Sequence, residues 1–259
     1  MCGIAGFTVP PGQPRAKVES TVRALTAALH HRGPDAQKAV VREGIALGHT
    51  RLSIVDLASG HQPMAAPERG LTIVFNGEIF NYVELREQLT SWQFKTKSDT
   101  EVILAAFDAW GIDCVRRFVG QFAFALWDER SKELWLARDR VGIRPLYLAR
   151  LNDGGLGFAS EAKALFAAGL VKPKLDARAV ADTLDLWAPA SPRSAFEGVT
   201  QLPPGHVARF AEGHLTQRPY WALDLSNERV DPNLTFSDAL EQLDATLGDA
   251  LKLRLRADV

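Results

Sequence analysis

Met1-Cys2-Gly3-Ile4 opens the chain with a residue suited to nucleophilic chemistry at a terminus. Initiator Met is usually removed before a small second residue, which leaves Cys2 carrying a thiol and a free α-amine together. An α-amine has an unperturbed pKa of ~7.7–8, so a useful fraction is neutral near pH 7. It can take the thiol proton, directly or through water, and leave a thiolate. The same residues also fit a frayed chain end. The second candidate is Asn76-Gly77, which follows the apolar run Leu71–Phe75. Asn-Gly between apolar runs signals a hairpin, because both residues tolerate positive φ. The pair also offers an amide and a bared N–H, two donors that can converge on an oxyanion. Both readings stand on these residues alone. Asp99, in Ser98-Asp99-Thr100-Glu101, reads as a first-turn acid set against the helix dipole.

Other chemistries find no support in the sequence. The six histidines include no HExxH or comparable spacing, so no metal site is expected. No Walker loop or dinucleotide fingerprint occurs, and Asn152-Asp153-Gly154-Gly155 reads as a turn. Cys114, in an apolar helical stretch, reads as a buried small hydrophobe. The net charge of −1 gives no basic footprint for nucleic acid or an anionic membrane. No apolar run reaches membrane-span length, and no signal-peptide pattern is visible. Two cysteines suit a reducing compartment, so the expected location is cytoplasmic. The oligomeric state is not legible.

The 259 residues, 46% apolar and 24% charged, are enough to bury a sizeable core. Cys2–Val9 reads as a strand, and Val18, Val22, Leu25 and Leu29 recur at helical spacing. A strand pair is expected around Glu43-Gly44, with strand continuing through Arg51–Val55 and a loop over Ser59–Gly70. Ser98 and Glu101 suggest a capping box opening a helix that Gly111 closes. Phe122–Trp127 with Leu134–Ala137, and His206–Phe210 with Leu215–Tyr220, read as hairpins. Thr235–Leu255 reads as one helix with Leu240, Leu243, Leu247 and Leu251 on a stripe, preceded by a polar linker over Asn227–Pro232. Strands and helices mix without βαβ alternation, which favours α+β.

Taken in order, these stretches resemble the glutaminase domain of glutamine-dependent asparagine synthetases, a class II glutamine amidotransferase of the N-terminal nucleophile superfamily. The resemblance is carried by Cys2–Gly6, His31-Arg32-Gly33-Pro34-Asp35, Arg51–Asp56, Asn76–Asn81, Ser98–Leu104, Gly120–Ala125, Arg138-Asp139, Phe158–Leu165 and Pro203–His206. Each motif is weak alone; their order and spacing are specific. The resemblance implies a four-layer αββα sandwich with mostly antiparallel sheets. It implies Cys2 as nucleophile with its own amine as base, and Asn76 with the Gly77 N–H as oxyanion hole. It further implies Arg51 on the glutamine α-carboxylate and Asp99 on the α-ammonium, with Glu78 beside them. A planar guanidinium suits such carboxylate capture.

The implied organisation is a glutaminase domain over residues 1–225, with 226–259 as linker and first helix of an ATP-dependent synthetase domain. The Ser-Gly-Gly-Leu-Asp-Ser loop of those synthetases does not occur here. ATP and Mg are therefore expected only of that further domain, and no cofactor is expected in this chain. The expected partners are L-glutamine and the synthetase domain. Two alternatives stay open: a non-catalytic glutamine-binding module, and an amidotransferase whose acceptor is not aspartate.

Overall fold

In chain order the elements are β1 (Gly3–Thr8), α1 (Arg15–Ala27), β2 (Ala36–Arg42), β3 (Ile45–Arg51), β4 (Met64–Ala66), β5 (Leu71–Ile79), α2 (Tyr82–Gln88), α3 (Asp99–Trp110), β6 (Gly120–Asp128), β7 (Glu133–Arg138), β8 (Tyr147–Arg150), β9 (Leu156–Ala159), α4 (Ala162–Ala167), α5 (Ala177–Leu186), β10 (Val199–Gln201), β11 (His206–Ala211), β12 (His214–Pro219) and α6 (Phe236–Arg254). The structure is a computed structural model; it describes residues 1–226, 231, 233–256 and 258. The expected linker residues Asn227–Val230 and Pro232 lie outside the described residues.

Two six-stranded sheets form, ordered β10-β8-β9-β1-β3-β2 and β12-β11-β7-β6-β5-β4. The strand pairings β1–β3, β5–β6 and β6–β7 that hold the centres of the sheets are antiparallel. Side chains alternate along each strand, so each sheet has two usable faces. Ile4, Leu47, Val74 and Ala125 meet in one core, between the sheets. Ala5, Phe7 and Ala46, from the opposite face of the first sheet, pack with α1 and α4 residues such as Leu25 and Leu165. Ile73, Phe75, Phe122 and Phe124 turn to the other face of the second sheet and meet α3 residues such as Ile103. Three cores separating helix, sheet, sheet and helix make the expected four-layer α+β sandwich. Each large apolar side chain fully buried in these layers contributes about 1.5–3 kcal/mol.

The differences from the sequence expectations are local. β3 ends at Arg51, and Leu52–Val55 are not strand: the Leu52 N–H goes to Cys2 Sγ and the Ser53 N–H to Asp35 Oδ2, while the Arg51 guanidinium bonds the Asp56 and Leu57 carbonyls just beyond. The expected loop over Ser59–Gly70 contains the edge strand β4, and β10 is likewise a three-residue strand too short to leave a periodic signal. Ser98 caps α3 by accepting from Thr100 N–H, but Glu101 does not complete the box. Its carboxylate instead accepts from Lys95 N–H, Thr96 N–H and the Trp92 indole, tying down the loop before the helix. In α6 the capping box is complete between Thr235 and Asp238. Its stripe residues Leu240, Leu243, Leu247 and Leu251 are 54–64% exposed.

Candidate active site

Asn76-Gly77 does not turn. β5 runs straight through the pair, with Asn76 opposite Ala123 and Gly77 opposite Phe122 on β6. The hairpin expectation fails because Glu78 and Ile79 continue to pair and Ile79 is fully buried. The ladder also fixes where the Gly77 N–H points. Phe122 exchanges its backbone bonds with Asp139, donating to Oδ2 and accepting from Asp139 N–H. Gly77 therefore sits in a pair not bonded across β5–β6, and its N–H points to the other edge of β5. β4 has ended there, at the pairing Met64–Ile73. Along that bared edge the Phe75 N–H is taken by Gln62 Oε1 at 2.6 Å and the Ile79 N–H by Asp99 Oδ2 at 3.0 Å. Gly77 lies between them. A Cβ at Gly77 would fall 2.1 Å from the Gln121 carbonyl oxygen, and its φ of +155° already favours glycine.

Asn76 is 1% exposed, and both Nδ2 and Oδ1 are buried without a hydrogen-bond partner. By strand alternation it shares the inter-sheet face with Val74. An unsatisfied buried polar group costs about 1–3 kcal/mol, so this position is held at the expense of stability.

Cys2 stands one residue before β1. Its Sγ accepts from Leu52 N–H at 3.4 Å and lies 3.5 Å from the Leu52 carbonyl oxygen. Burial pushes the thiol pKa up, so a base is needed to generate thiolate near neutrality. Arg32 Nε donates to the Cys2 carbonyl at 2.9 Å. Met1 lies in the same cleft, its sulfur against Arg144 Nη1. Burial lowers the pKa of the chain's amine there, and the guanidiniums of Arg32 and Arg144 lower it further.

Arg51 is 5% exposed. Its Nη2 donates to the Asp56 carbonyl at 2.6 Å and its Nη1 to the Leu57 carbonyl at 3.1 Å. It thus organises the loop that walls the cleft as well as facing into it. The same loop is held from outside by Asp258, which accepts from Asp56 N–H at 2.8 Å and donates its own N–H to Ile54 O at 3.1 Å. Asp99 is more than a helix-dipole acid. It is 4% exposed, and burial raises its pKa to about 7 despite the Ile79 N–H, with the nearby Glu78 charge adding to the rise. Glu78 is half-buried; burial raises its pKa, and Arg144 and Arg254 oppose that rise.

One cleft is lined by Cys2, Arg51, Asn76, Gly77, Glu78 and Asp99, so the fold brings together every site residue named from the sequence. It adds Gln62, which holds the Phe75 N–H, and Arg144, neither of which belongs to a pattern legible by spacing. Arg32 belongs to the stretch His31-Arg32-Gly33-Pro34-Asp35, but its contact with Cys2 carries no sequence signal. Among the described residues no group of three or more His, Cys, Asp or Glu could hold a metal ion.

The two facing sheets thus bring a near-terminal thiol and an unpartnered buried amide to one cleft. A family model described as glutamine amidotransferase domain matches residues 1–221, and the chain belongs to this family. Among relatives, it is 34% identical over 264 residues to asparagine synthetase (glutamine-hydrolyzing) 3 of Bacillus subtilis, all of this chain aligning with 42% of that protein. It is 36% identical to amidase chyE of Penicillium rubens, all of the chain aligning with 40% of that protein. The chain thus spans about two fifths of the length of these curated relatives. A glutamine phosphoribosylpyrophosphate amidotransferase from B. subtilis shares the fold, with a TM-score of 0.59 at 20% identity over 85% of this chain and 49% of that one.

Proposed function

We propose that this domain hydrolyses L-glutamine to glutamate and ammonia, with Cys2 as nucleophile once Met1 is removed. The neutral Cys2 amine takes the thiol proton, and the thiolate attacks the side-chain amide carbon of glutamine. Charge collects on the amide oxygen, where Asn76 Nδ2–H and Gly77 N–H donate to it. The C–N bond breaks, the amine returns the proton to the leaving nitrogen, and ammonia departs from a γ-glutamyl thioester. Water then cleaves the thioester to glutamate and restores the thiol. Arg51 holds the α-carboxylate of the substrate. Asp99 and Glu78 face its α-ammonium; the donors that already meet the Asp99 carboxylate, from Ile79, Thr100 and Ser98, are neutral.

The observation that carries this reading is the Asn76 amide, buried and unpartnered in the cleft that holds Cys2. The large majority of buried side-chain polar atoms are hydrogen-bonded, so an amide with both heteroatoms unpartnered in a cleft favours a ligand as the partner.

Residues 1–225 form the glutaminase unit in this reading, and 226–259 lead into a synthetase domain. The exposed leucine stripe of α6 supports the second part, because such a face needs a covering partner. The ammonia would pass to that domain, with aspartate as acceptor by likeness to the synthetases. An acceptor other than aspartate is supported by the likeness to the fungal amidase. No residue of this chain is assigned to ATP or Mg, since the loop that would hold the nucleotide is not in the sequence. The test is to incubate the purified chain with glutamine, then with glutamine, aspartate and ATP. Equal release of glutamate and ammonia without asparagine is expected. Absence of ammonia would refute the glutaminase reading, and asparagine would refute the division of labour.

A further inference from the structure

Cys2 is held from behind by a chain of side chains that the reaction itself does not use. Arg32 Nε donates to the Cys2 carbonyl at 2.9 Å, and Arg32 Nη1 donates to Glu161 Oε1, also at 2.9 Å. The Arg32 side chain is only 10% exposed, and its Nη2 is buried without a partner. Glu161 is the acidic group that meets this guanidinium, and it is itself fixed by His31 Nε2 at 2.8 Å and Lys163 Nζ at 3.0 Å.

Both ends of this chain are anchored in backbone. Ser160 pairs with Ile4 of β1, its N–H on the Ile4 carbonyl at 2.8 Å and its Oγ accepting the Ile4 N–H at 3.0 Å. Glu161 follows directly, so its position is tied to the strand that Cys2 begins. Arg32 sits in a short helical turn, His30–Arg32, ended by Gly33. A Cβ at Gly33 would fall 2.4 Å from the backbone of Thr50, so the turn presses against β3 beside Arg51.

We propose that Glu161 is a positioning residue for the nucleophile: by fixing Arg32 it pins the Cys2 carbonyl and so holds a terminal residue in its attacking orientation. This rests on the reading of Cys2 as the nucleophile. A terminal residue has one peptide neighbour and would otherwise sample many orientations. A guanidinium with one end on a carbonyl and the other on a fixed carboxylate cannot rotate without breaking both bonds. The bonds from Arg32, His31 and Lys163 outweigh burial and hold the Glu161 carboxyl down at about 2, so the anchor stays charged at working pH.

The test compares Glu161→Ala, Glu161→Gln and Glu161→Asp in Met1-free protein. Glutaminase kcat and KM are measured, together with the rate at which iodoacetamide alkylates Cys2. In that alkylation the thiolate sulfur bonds the methylene carbon and iodide leaves; Cys114, fully buried, serves as internal control. Glu161→Gln keeps an oxygen where Arg32 needs an acceptor and should stay close to the parent. Glu161→Ala and Glu161→Asp remove or withdraw it. Both should lose kcat by on the order of 10²-fold, the cost of a small misplacement at the reacting atoms. Their alkylation rates should fall in parallel, with KM for glutamine changed less than about twofold. Glu161→Asp keeps the charge at the surface, so it serves if Glu161→Ala does not fold. Unchanged alkylation and kcat in folded Glu161→Asp would overturn the proposal, as would a rise in KM at constant kcat. If the parent releases no ammonia, the glutaminase reading fails separately, and the alkylation comparison still decides the positioning role.

Discussion

Replacing Asn76 separates a structural from a catalytic residue by the sign of its effect on stability. Its two amide heteroatoms are buried and unpartnered. Asn76→Ala removes both, which relieves a penalty of about 1–3 kcal/mol for each unsatisfied group. The cavity left behind costs on the order of 1 kcal/mol. The Ala variant should therefore be as stable as the parent or more so, by up to a few degrees in Tm. Turnover should move the other way. Losing one oxyanion donor costs on the order of 10²–10³ in kcat, about 2.7–4 kcal/mol. The loss should fall on kcat rather than KM, because the bond strengthens only as charge builds on the substrate oxygen. Asn76→Asp places acceptors where a donor is needed and should be at least as damaging. Its carboxyl would be buried in the cleft that already holds Asp99 and Glu78, so its folded pKa should lie above the unfolded value. The stability of that variant should then fall relative to Asn76→Ala as pH rises above about 4. The assays are ammonia release under steady state and thermal unfolding from pH 4 to 8. Near-normal kcat in either variant, or a kcat loss matched by loss of folded protein, would refute the reasoning.

Asp99 should give its own pH signature. Its folded pKa of about 7 lies above the unfolded value, so its contribution to stability is complete below pH 4 and is lost as pH rises toward 7. Asp99→Asn should abolish that loss in thermal unfolding while raising KM for glutamine. In the parent, KM should fall as pH rises through about 7, because the ammonium pairs with the ionised form; a KM indifferent to pH would remove Asp99 from the substrate. Arg51→Lys should raise KM more than it lowers kcat, since an ammonium cannot reproduce the planar fork. Because Arg51 also holds the Asp56 and Leu57 carbonyls, faster proteolysis within Leu52–Ser59 is expected in the same variant. Gly77→Ala should destabilise the protein, as the new Cβ would meet backbone at Gln121 that cannot move aside; an unchanged Tm would show that β5 relaxes there.

Layers and most elements were legible because they follow from repeated local patterns. The stripe Val18, Val22, Leu25 and Leu29 is buried to 1% exposure or less, as helical spacing requires. Asn76-Gly77 shows the limit of local signals. The dipeptide favours a turn, but the pairing with Ala123 and Phe122 and the burial of Ile79 override that preference. Leu52–Val55 were misread for a related reason: their strand propensity is set aside because the Leu52 and Ser53 N–H groups are taken by Cys2 Sγ and Asp35 Oδ2 rather than by a neighbouring strand. The burial of Asp99 and the contact of Arg32 with Cys2 depend on chain segments distant in sequence, and nothing in residue spacing encodes them. The resemblance supplied the roles of Arg51 and Asp99; physical reading of the sequence alone had offered only a first-turn acid for the latter.

The most direct measurement of the central claim is ammonia release from glutamine as a function of the fraction of chains lacking Met1, determined by intact mass. If the amine of Cys2 is the base, activity should rise in proportion to that fraction and vanish where every chain keeps Met1. Full turnover by a preparation that retains Met1 throughout would contradict the claim.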